Sequence, residues 1–149
     1  MECGEQLVTL SFCSRASRLR LLRSVMRDTA DLAGLDTSQT EAMVLAVNEA
    51  CMNIIQHGYG MAPDGRIDVS IFQQTGALVI RIRDYADKVD VEQVRSRELD
   101  DIRPGGLGVH LINCLMDECG FVEAPPDGGN LFQMKLFIRN QGEDNDISG

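Results

Sequence analysis

The sequence lacks the residue patterns of common metal and redox sites. Its five cysteines form no CxxC pair, and only two histidines are present, so it does not offer the closely spaced ligands of a zinc site. An odd number of cysteines without such pairs is typical of reduced thiols. Because disulfides persist mainly in oxidising compartments, we expect free thiols and a cytoplasmic location.

Long hydrophobic runs are also absent. No stretch approaches the roughly 18 apolar residues that indicate a membrane-spanning helix. The first ten residues carry neither a basic region nor a long apolar core, so we expect no signal peptide. These features predict a protein without a membrane partner.

Positive charge is scarce as well. The chain has 14 lysines and arginines against 23 aspartates and glutamates, which gives a net charge of −9. A broad nucleic-acid surface needs a basic footprint, so we expect no nucleic-acid partner. A small phosphate ligand is compatible with this charge, because a few backbone N–H groups at a helix start can bind one.

Two catalytic signatures are missing too. The sequence contains no GxxxxGK[ST] segment and no GxSxG segment. The first absence excludes an ordinary P-loop, and the second excludes the nucleophile turn of α/β-hydrolases.

What is present is the composition of one globular domain. The chain has 149 residues, of which 44% are hydrophobic and 25% charged. A chain of this length buries roughly 68–70% of its unfolded surface, enough for a core of its own. We expect one folded domain over residues 1–140 and an acidic, disordered tail over residues 141–149.

Hydrophobic periodicity predicts the element order β-α-α-β-β-loop-α-β-β. The predicted strands cover residues 6–13, 66–74, 77–84, 119–124 and 130–139. The predicted helices cover residues 15–33, 37–57 and 105–118. We expect the first helix to end at Gly34 and the second to start at the N-cap Thr37.

The segregation of strands and helices predicts the fold class. We expect an α+β fold of two layers, with a mixed, mostly antiparallel sheet and helices on one face. Residues 87–103 are charge-rich and weakly periodic. They are expected to form a mobile segment or a short helix.

The second predicted helix carries two polar residues opposite its apolar face. Glu49 and Asn53 are one turn apart and lie about 40° from each other at 100° per residue. A carboxylate and an amide oxygen so placed can bind one hydrated Mg²⁺, or one can bind the metal while the other acts as a base. The alternative interpretation is that both residues are simply solvated.

A glycine-rich segment, Gly105-Gly106-Leu107-Gly108, precedes the apolar part of the third predicted helix. Glycines let the backbone approach phosphate oxygens, and the helix start offers free N–H groups and a favourable dipole. The dinucleotide fingerprint does not fit, because no βαβ frame surrounds the segment. A hinge or a plain helix entry is the alternative interpretation.

Two further features also have two interpretations each. Asp84 ends a predicted strand, where its carboxylate can accept a hydrogen bond from an exocyclic amine such as that of adenine, or cap the following turn. The first predicted helix carries five arginines, which form either a solvated face or a contact surface for an acidic partner. These arginines are Arg15, Arg18, Arg20, Arg23 and Arg27.

In this order and spacing, the segments resemble the ATP-binding domain of the gyrase, Hsp90, histidine-kinase and MutL superfamily. More narrowly, the chain resembles the stand-alone bacterial anti-sigma-factor serine kinases of partner-switching systems. AVNEACMNIIQHGYG (46–60) is similar to the family's N box, and RDYADKVD (83–90) to its D-x-G-x-P-F-D box. GGLGVHLINCLMDECGFVE (105–123) resembles the glycine-rich box with the helix and strand after it, and NLFQMKLFI (130–138) the closing strand.

The resemblance implies a Bergerat-type ATP-binding fold and a protein-serine kinase that uses ATP and Mg²⁺. It implies that Glu49 is the general base, that Asn53 is the Mg²⁺ ligand and that Asp84 binds adenine. Residues 87–103 would act as a lid over the nucleotide. The implied phosphate-binding residues are Gly105, Gly106, Leu107 and Gly108.

The resemblance also implies the partners. The substrate serine would lie on an anti-anti-sigma protein of the STAS type. A sigma factor or another regulator would be sequestered by the chain. The family further implies a homodimer.

One position departs from the family pattern. Ala86, in the adenine-binding segment, stands where the family has glycine, and Lys88 stands where it often has proline. If that position takes a left-handed conformation, alanine costs on the order of 1–2 kcal/mol, which would weaken ATP binding about tenfold. The alternative hypothesis is therefore a non-catalytic, protein-binding regulator with weakened or lost ATP binding.

Overall fold

The computed structural model describes residues 4–87, 104–123 and 125–139. In chain order the elements are β1 (Glu5–Cys13), α1 (Leu19–Ala33), α2 (Thr37–Asn53), β2 (Arg66–Gln74), β3 (Ala77–Asp84), α3 (Pro104–Leu115), β4 (Glu118–Val122) and β5 (Asn130–Phe137). A 3₁₀ turn (Ala16–Arg18) precedes α1, and a π-helical turn (Ile54–Gly58) follows α2. The predicted α+β element order is confirmed.

The described strands form one five-stranded sheet in the order β1-β2-β3-β5-β4. Every neighbouring pair is antiparallel, so the described sheet is antiparallel throughout rather than mixed. β3 is the central strand, and its last residue, Asp84, lies opposite Ile67 of β2 and Asn130 of β5. This register places the end of β3 between two neighbouring strands.

The alternation of residues along the strands determines which face the helices cover. In β2, Ile67, Val69 and Ile71 are fully buried, whereas the residues between them are only half-buried. The buried set packs in one core with the apolar sides of α1 and α2, including Leu22 and Met43. Burial of each such side chain stabilises the fold by about 1.5–3 kcal/mol. The predicted two layers, with helices on one face, are confirmed.

The ends of α1 and α2 show one prediction confirmed and one wrong. Gly34 ends α1 in a left-handed conformation, with φ of 87°, as expected for a C-terminal glycine. The N-cap of α2, however, is Asp36 rather than Thr37. The Asp36 carboxylate accepts a hydrogen bond of 2.7 Å from the N–H of Gln39, while Thr37 is already helical.

The C-terminal elements are shorter than predicted. The helix expected over residues 105–118 spans Pro104–Leu115, because pairing of β4 with β5 begins at Glu118. The last two strands likewise end at Val122 and Phe137.

Two predictions concern residues outside the described part of the chain. The expected lid over 87–103, apart from Asp87, and the expected tail over 141–149 lie there. The division into one domain and a tail therefore stays a prediction. Among the helices that the structure describes, none is long and apolar enough to cross a bilayer.

Candidate nucleotide site

The helix α2 presents Glu49 and Asn53 beside the core. It packs against both α1 and α3, and Met43 and Val47 on its apolar side are fully buried. Glu49 and Asn53 are half-buried, and no described residue forms a hydrogen bond or an ion pair with either side chain. Their oxygen atoms are therefore available to a ligand.

Cys51 lies between these two residues in sequence but does not share their environment. Its side chain is fully buried. Burial raises the pKa of the Cys51 thiol far above its usual range, because a thiolate is poorly solvated there. Cys51 is consequently a packing residue and not a nucleophile.

A π-helical turn, Ile54–Gly58, directly follows Asn53. Such turns are rare and occur often at functional sites. The fully buried Ile55 anchors the turn in the core, and the N–H of Tyr59 donates to the carbonyl of Ile54 at 2.8 Å. The turn carries the chain from the end of α2 towards the end of β3.

Asp84, at the end of β3, is a buried carboxylate with two protein donors on one oxygen. It is 4% exposed. The Nδ2 atom of Asn130 and the N–H of Ala86 each donate to its Oδ1 at 3.0 Å. No described residue bonds to Oδ2, which leaves that oxygen for a ligand's donor.

The electrostatic environment of Asp84 balances burial against hydrogen bonding. Burial raises the pKa of the Asp84 carboxyl above its ordinary value, because the low-dielectric surroundings disfavour the anion. The bonds from Asn130 and the Ala86 N–H and the charge of Arg83 oppose this increase. The carboxylate is thus oriented by these two donors.

Gly129 and Asn130 lie directly against Asp84, and neither residue was among those predicted for the site. A Cβ atom on Gly129 would overlap the carbonyl oxygen of Asp84, and its φ of +82° also favours glycine. Asn130 is 6% exposed and donates a second bond, 2.9 Å long, to the carbonyl of Asp87. The sequence does show a polar residue, Asn130, at the start of the last strand. Its pairing with Asp84 depends on the strand register, which the sequence does not reveal.

The structure overturns the expected strain at Ala86. Among the described residues, Met61 alone of the non-glycine residues has a positive φ, so Ala86 is not left-handed. A Cβ atom placed on Gly58 would lie 3.5 Å from the Ala86 Cβ, which shows that Ala86 sits close to the π-helical turn. Ala86 therefore gives no conformational reason to expect weakened or lost ATP binding.

Tyr85 is held on the open face of the sheet, away from the helices. Its hydroxyl donates to Asp68 at 2.7 Å. The guanidinium carbon of Arg83 lies 4.6 Å from the centre of its ring, and that of Arg66 lies 5.6 Å away. The side chain of Tyr85 thus anchors the segment after β3 from outside.

The glycine-rich segment belongs to α3. The helix starts at Pro104, one residue before its predicted start, so Gly105, Gly106, Leu107 and Gly108 form its first turns. Pro104 suits the first helical position, because its missing N–H would have no intrahelical partner there. α3 packs against α2, which brings this helix next to the one that carries Glu49 and Asn53.

The arginines of α1 are only partly committed to internal contacts. Arg23 donates to the Oδ1 atom of Asn48 at 2.9 Å, and Arg27 lies 3.5 Å from Glu41. On the same helix Leu21 is 61% exposed and Leu32 is 74% exposed. Exposed apolar and basic groups therefore share this helix.

The antiparallel sheet, its helix layer and the polar residues at the end of β3 define a nucleotide-binding ATPase fold. The chain belongs to the histidine kinase-like ATPase domain family, whose sequence profile matches residues 12–136. It is 26% identical to the serine-protein kinase RsbW of Halalkalibacterium halodurans, over 97% of this chain and 91% of the relative. It is also 26% identical to RsbW of Bacillus subtilis, over 86% and 83% of the two chains.

Two solved structures share the fold. The crystal structure of the RsbU and RsbW domains of Rv1364c from Mycobacterium tuberculosis matches with a TM-score of 0.63 and 19% identity, over 90% of this chain and 34% of that one. The SiaB-SiaC complex from Pseudomonas aeruginosa matches with a TM-score of 0.61 and 16% identity, over 91% and 92%. The predicted family, fold class and enzyme class, a protein-serine kinase, are confirmed.

Proposed function

We propose that the chain is an ATP-dependent anti-sigma-factor kinase of a bacterial partner-switching pathway. It phosphorylates a serine of an anti-anti-sigma protein of the STAS type and sequesters a sigma factor or another regulator. The observation that supports this most is the pair of Glu49 and Asn53, half-buried and without protein partners, on a helix that leads into the Asp84 region.

Asp84 recognises the adenine base in this proposal. Its Oδ1 atom is occupied by Asn130 and the Ala86 N–H, so Oδ2 accepts a hydrogen bond from the exocyclic amine. Hydrogen bonds to a charged acceptor contribute about 1.5–3 kcal/mol. The buried, pre-oriented carboxylate thus selects a base that presents a donor.

The phosphates lie at the start of α3. The first N–H groups of a helix have no intrahelical acceptor and favour an anion. The backbone around Gly105, Gly106, Leu107 and Gly108 supplies them, and the missing side chains of the glycines allow close approach.

Asn53 is the proposed Mg²⁺ ligand. Its amide oxygen is an oxygen donor of the kind that Mg²⁺ prefers, and no described residue competes for it. When bound, Mg²⁺ neutralises charge on the phosphates.

Glu49 is the proposed general base. The substrate serine Oγ forms a bond to the γ-phosphorus, and the bond from that phosphorus to the bridging β–γ oxygen breaks, which releases ADP. The serine proton passes to the Glu49 carboxylate. General-base assistance of this kind contributes typically about 10²–10⁴-fold in rate.

The protein partners are proposed to dock on α1. Its arginines are mostly exposed and neighbour the exposed Leu21 and Leu32, a combination that suits an acidic protein surface with apolar residues. The pathway implies a cytoplasmic protein and, by resemblance, a homodimer.

Phosphorylation of the partner tests the proposed function directly. The purified chain is incubated with Mg-ATP and the cognate anti-anti-sigma protein, and the partner is analysed for phosphoserine by mass spectrometry. Phosphoserine is expected. Calorimetry with Mg-ADP accompanies the assay, and absence of heat at high nucleotide concentration would refute nucleotide binding itself.

A further inference from the structure

The hydroxyl of Tyr59 joins two separate segments of the backbone, at Arg66 and at Tyr85. It donates to the carbonyl of Arg66 at 2.6 Å and accepts from the N–H of Tyr85 at 2.8 Å. The N–H of Arg66 lies 3.3 Å from the same oxygen. A tyrosine hydroxyl has one donor and a limited acceptor capacity, so this group is fully engaged with the main chain.

The Tyr85 N–H belongs to the peptide unit that follows Asp84. Holding that N–H fixes the plane of the peptide, and with it the direction from which the Asp84 side chain leaves the backbone. The next peptide N–H, that of Ala86, binds the Asp84 carboxylate itself. The Tyr59 hydroxyl therefore acts on the peptide unit directly after Asp84, the proposed base-recognition residue.

The other end of Tyr59 is tied to α2. The residue comes directly after the π-helical turn, which begins after Asn53, and its N–H donates to Ile54. One side chain thus spans from the helix of Glu49 and Asn53 to the segment after β3.

The chain leaves room for the Tyr59 ring at one glycine. A Cβ atom on Gly65 would lie 2.6 Å from three atoms of that ring, closer than real Cβ contacts. The ring is rigid, so it would have to shift and carry its hydroxyl with it. Gly65 therefore permits the position in which Tyr59 reaches Tyr85.

We infer that Tyr59 is a positioning residue. It sets the selectivity for the nucleotide base by fixing the position of Asp84 relative to α2. The inference rests on the proposed function. Adenine has an amine at C6, where guanine has a carbonyl. A correctly positioned Asp84 carboxylate accepts a hydrogen bond from the amine and is repelled by the carbonyl oxygen. A site built to bind a particular donor rejects a ligand that lacks it.

The test compares two nucleotides on matched hydroxyl deletions. Affinities for Mg-ADP and Mg-GDP are measured by calorimetry for wild type, Tyr59→Phe and Thr9→Val. The control removes a hydroxyl that contacts Ser70 at 3.1 Å on the open face of β1 and β2 and makes no hydrogen bond to Tyr59, Asp84 or Tyr85. We expect Tyr59→Phe to weaken ADP binding about tenfold, the effect of one lost hydrogen bond with its partner left unpaired, and to change GDP binding little.

The ratio of the ADP affinity to the GDP affinity distinguishes a loss of Asp84 positioning from a general loss of structure. A narrowed ADP-to-GDP preference in Tyr59→Phe and in Gly65→Ala, with wild-type preference in Thr9→Val, supports the inference. An unchanged ratio, with both nucleotides bound equally more weakly or as in wild type, overturns the role of Tyr59 while the proposed function stands. A wild-type chain that binds no ADP overturns both.

Discussion

The two carboxylates of the proposed site are held in opposite ways. Glu49 lies half-buried on a helix and has no partner among the described residues. Asp84 is buried at a strand end, with one oxygen occupied by two donors and a raised pKa. In the proposed function the first accepts the serine proton, whereas the second is fixed in advance by its donors.

This difference separates chemistry from recognition. A general base must exchange its proton, so a side chain without competing bonds suits it. A recognition group gains selectivity from being oriented before the ligand arrives, because ordering then costs no binding energy. Four substitutions test this proposed division of roles.

The largest effect is expected from Glu49→Gln. The amide keeps the shape but cannot accept the serine proton, so phosphotransfer should fall about 10²–10⁴-fold. The affinity for ADP should stay within about twofold of the wild-type value, since Glu49 is not proposed to contact adenine. Single-turnover phosphorylation and calorimetry measure the two quantities.

The matched control for this change is Glu41→Gln on the same helix. Glu41 is exposed and makes only a 3.5 Å contact with Arg27. With the partner at saturating concentration, the Glu41→Gln variant should phosphorylate it at the wild-type rate. Undiminished phosphotransfer in Glu49→Gln would contradict the assigned role.

A smaller effect on a different quantity is expected from Asp84→Asn. An asparagine has only one acceptor oxygen, so it cannot accept both from the Asn130 and Ala86 donors and from the adenine amine. ADP binding should therefore weaken about 10- to 100-fold, the range for a hydrogen bond to a charged group. The rate at saturating ATP should change only a few-fold. A large loss in that rate with unchanged affinity would reverse the division between the two residues.

Asn130→Ala should shift the pH dependence of binding. The bond from Asn130 opposes the burial that raises the pKa of Asp84, so its removal should raise that pKa further and weaken ADP binding at neutral pH about three- to tenfold. Affinity is measured by calorimetry as pH is lowered from neutrality. In the variant it should begin to fall at a higher pH than in wild type, and coincident profiles would rule out this coupling.

The stability of the fold should follow pH in the opposite sense to binding. Because the folded pKa of Asp84 lies above its unfolded value, the folded state binds more protons between the two. The contribution of Asp84 to the free energy of unfolding is therefore present in acid and lost as pH rises through the folded pKa. ADP binding needs the anion and so strengthens over the same range.

The smallest effect on binding is expected from Ala86→Gly. Since Ala86 is not left-handed, glycine relieves no strain, and ADP affinity should change less than about twofold. The free energy of unfolding should fall by about 0.4–1 kcal/mol, because glycine has more freedom in the unfolded chain. Calorimetry and urea denaturation check both, and a tenfold gain in affinity would restore the strain hypothesis.

Parts of the fold and site were predictable because they depend on local periodicity. The hairpin strands 66–74 and 77–84 were located to the residue, since alternation with a period of two is strong in both. The common stripe of Glu49 and Asn53 follows from helix geometry alone. Asp36 was missed as the N-cap because Asp36, Thr37 and Ser38 are all good caps, and only the hydrogen-bond geometry distinguishes them.

The family, the element order and the residue types of the proposed site could be predicted from the sequence alone. The pairing of Asn130 with Asp84, the reach of Tyr59 to Tyr85 and the absence of a left-handed conformation at Ala86 became clear only from the fold. These two groups of features differ in the range of the interactions that produce them. Periods and motifs are properties of neighbouring residues, whereas strand register, burial and the hydrogen bonds that orient a carboxylate arise where segments distant in sequence meet.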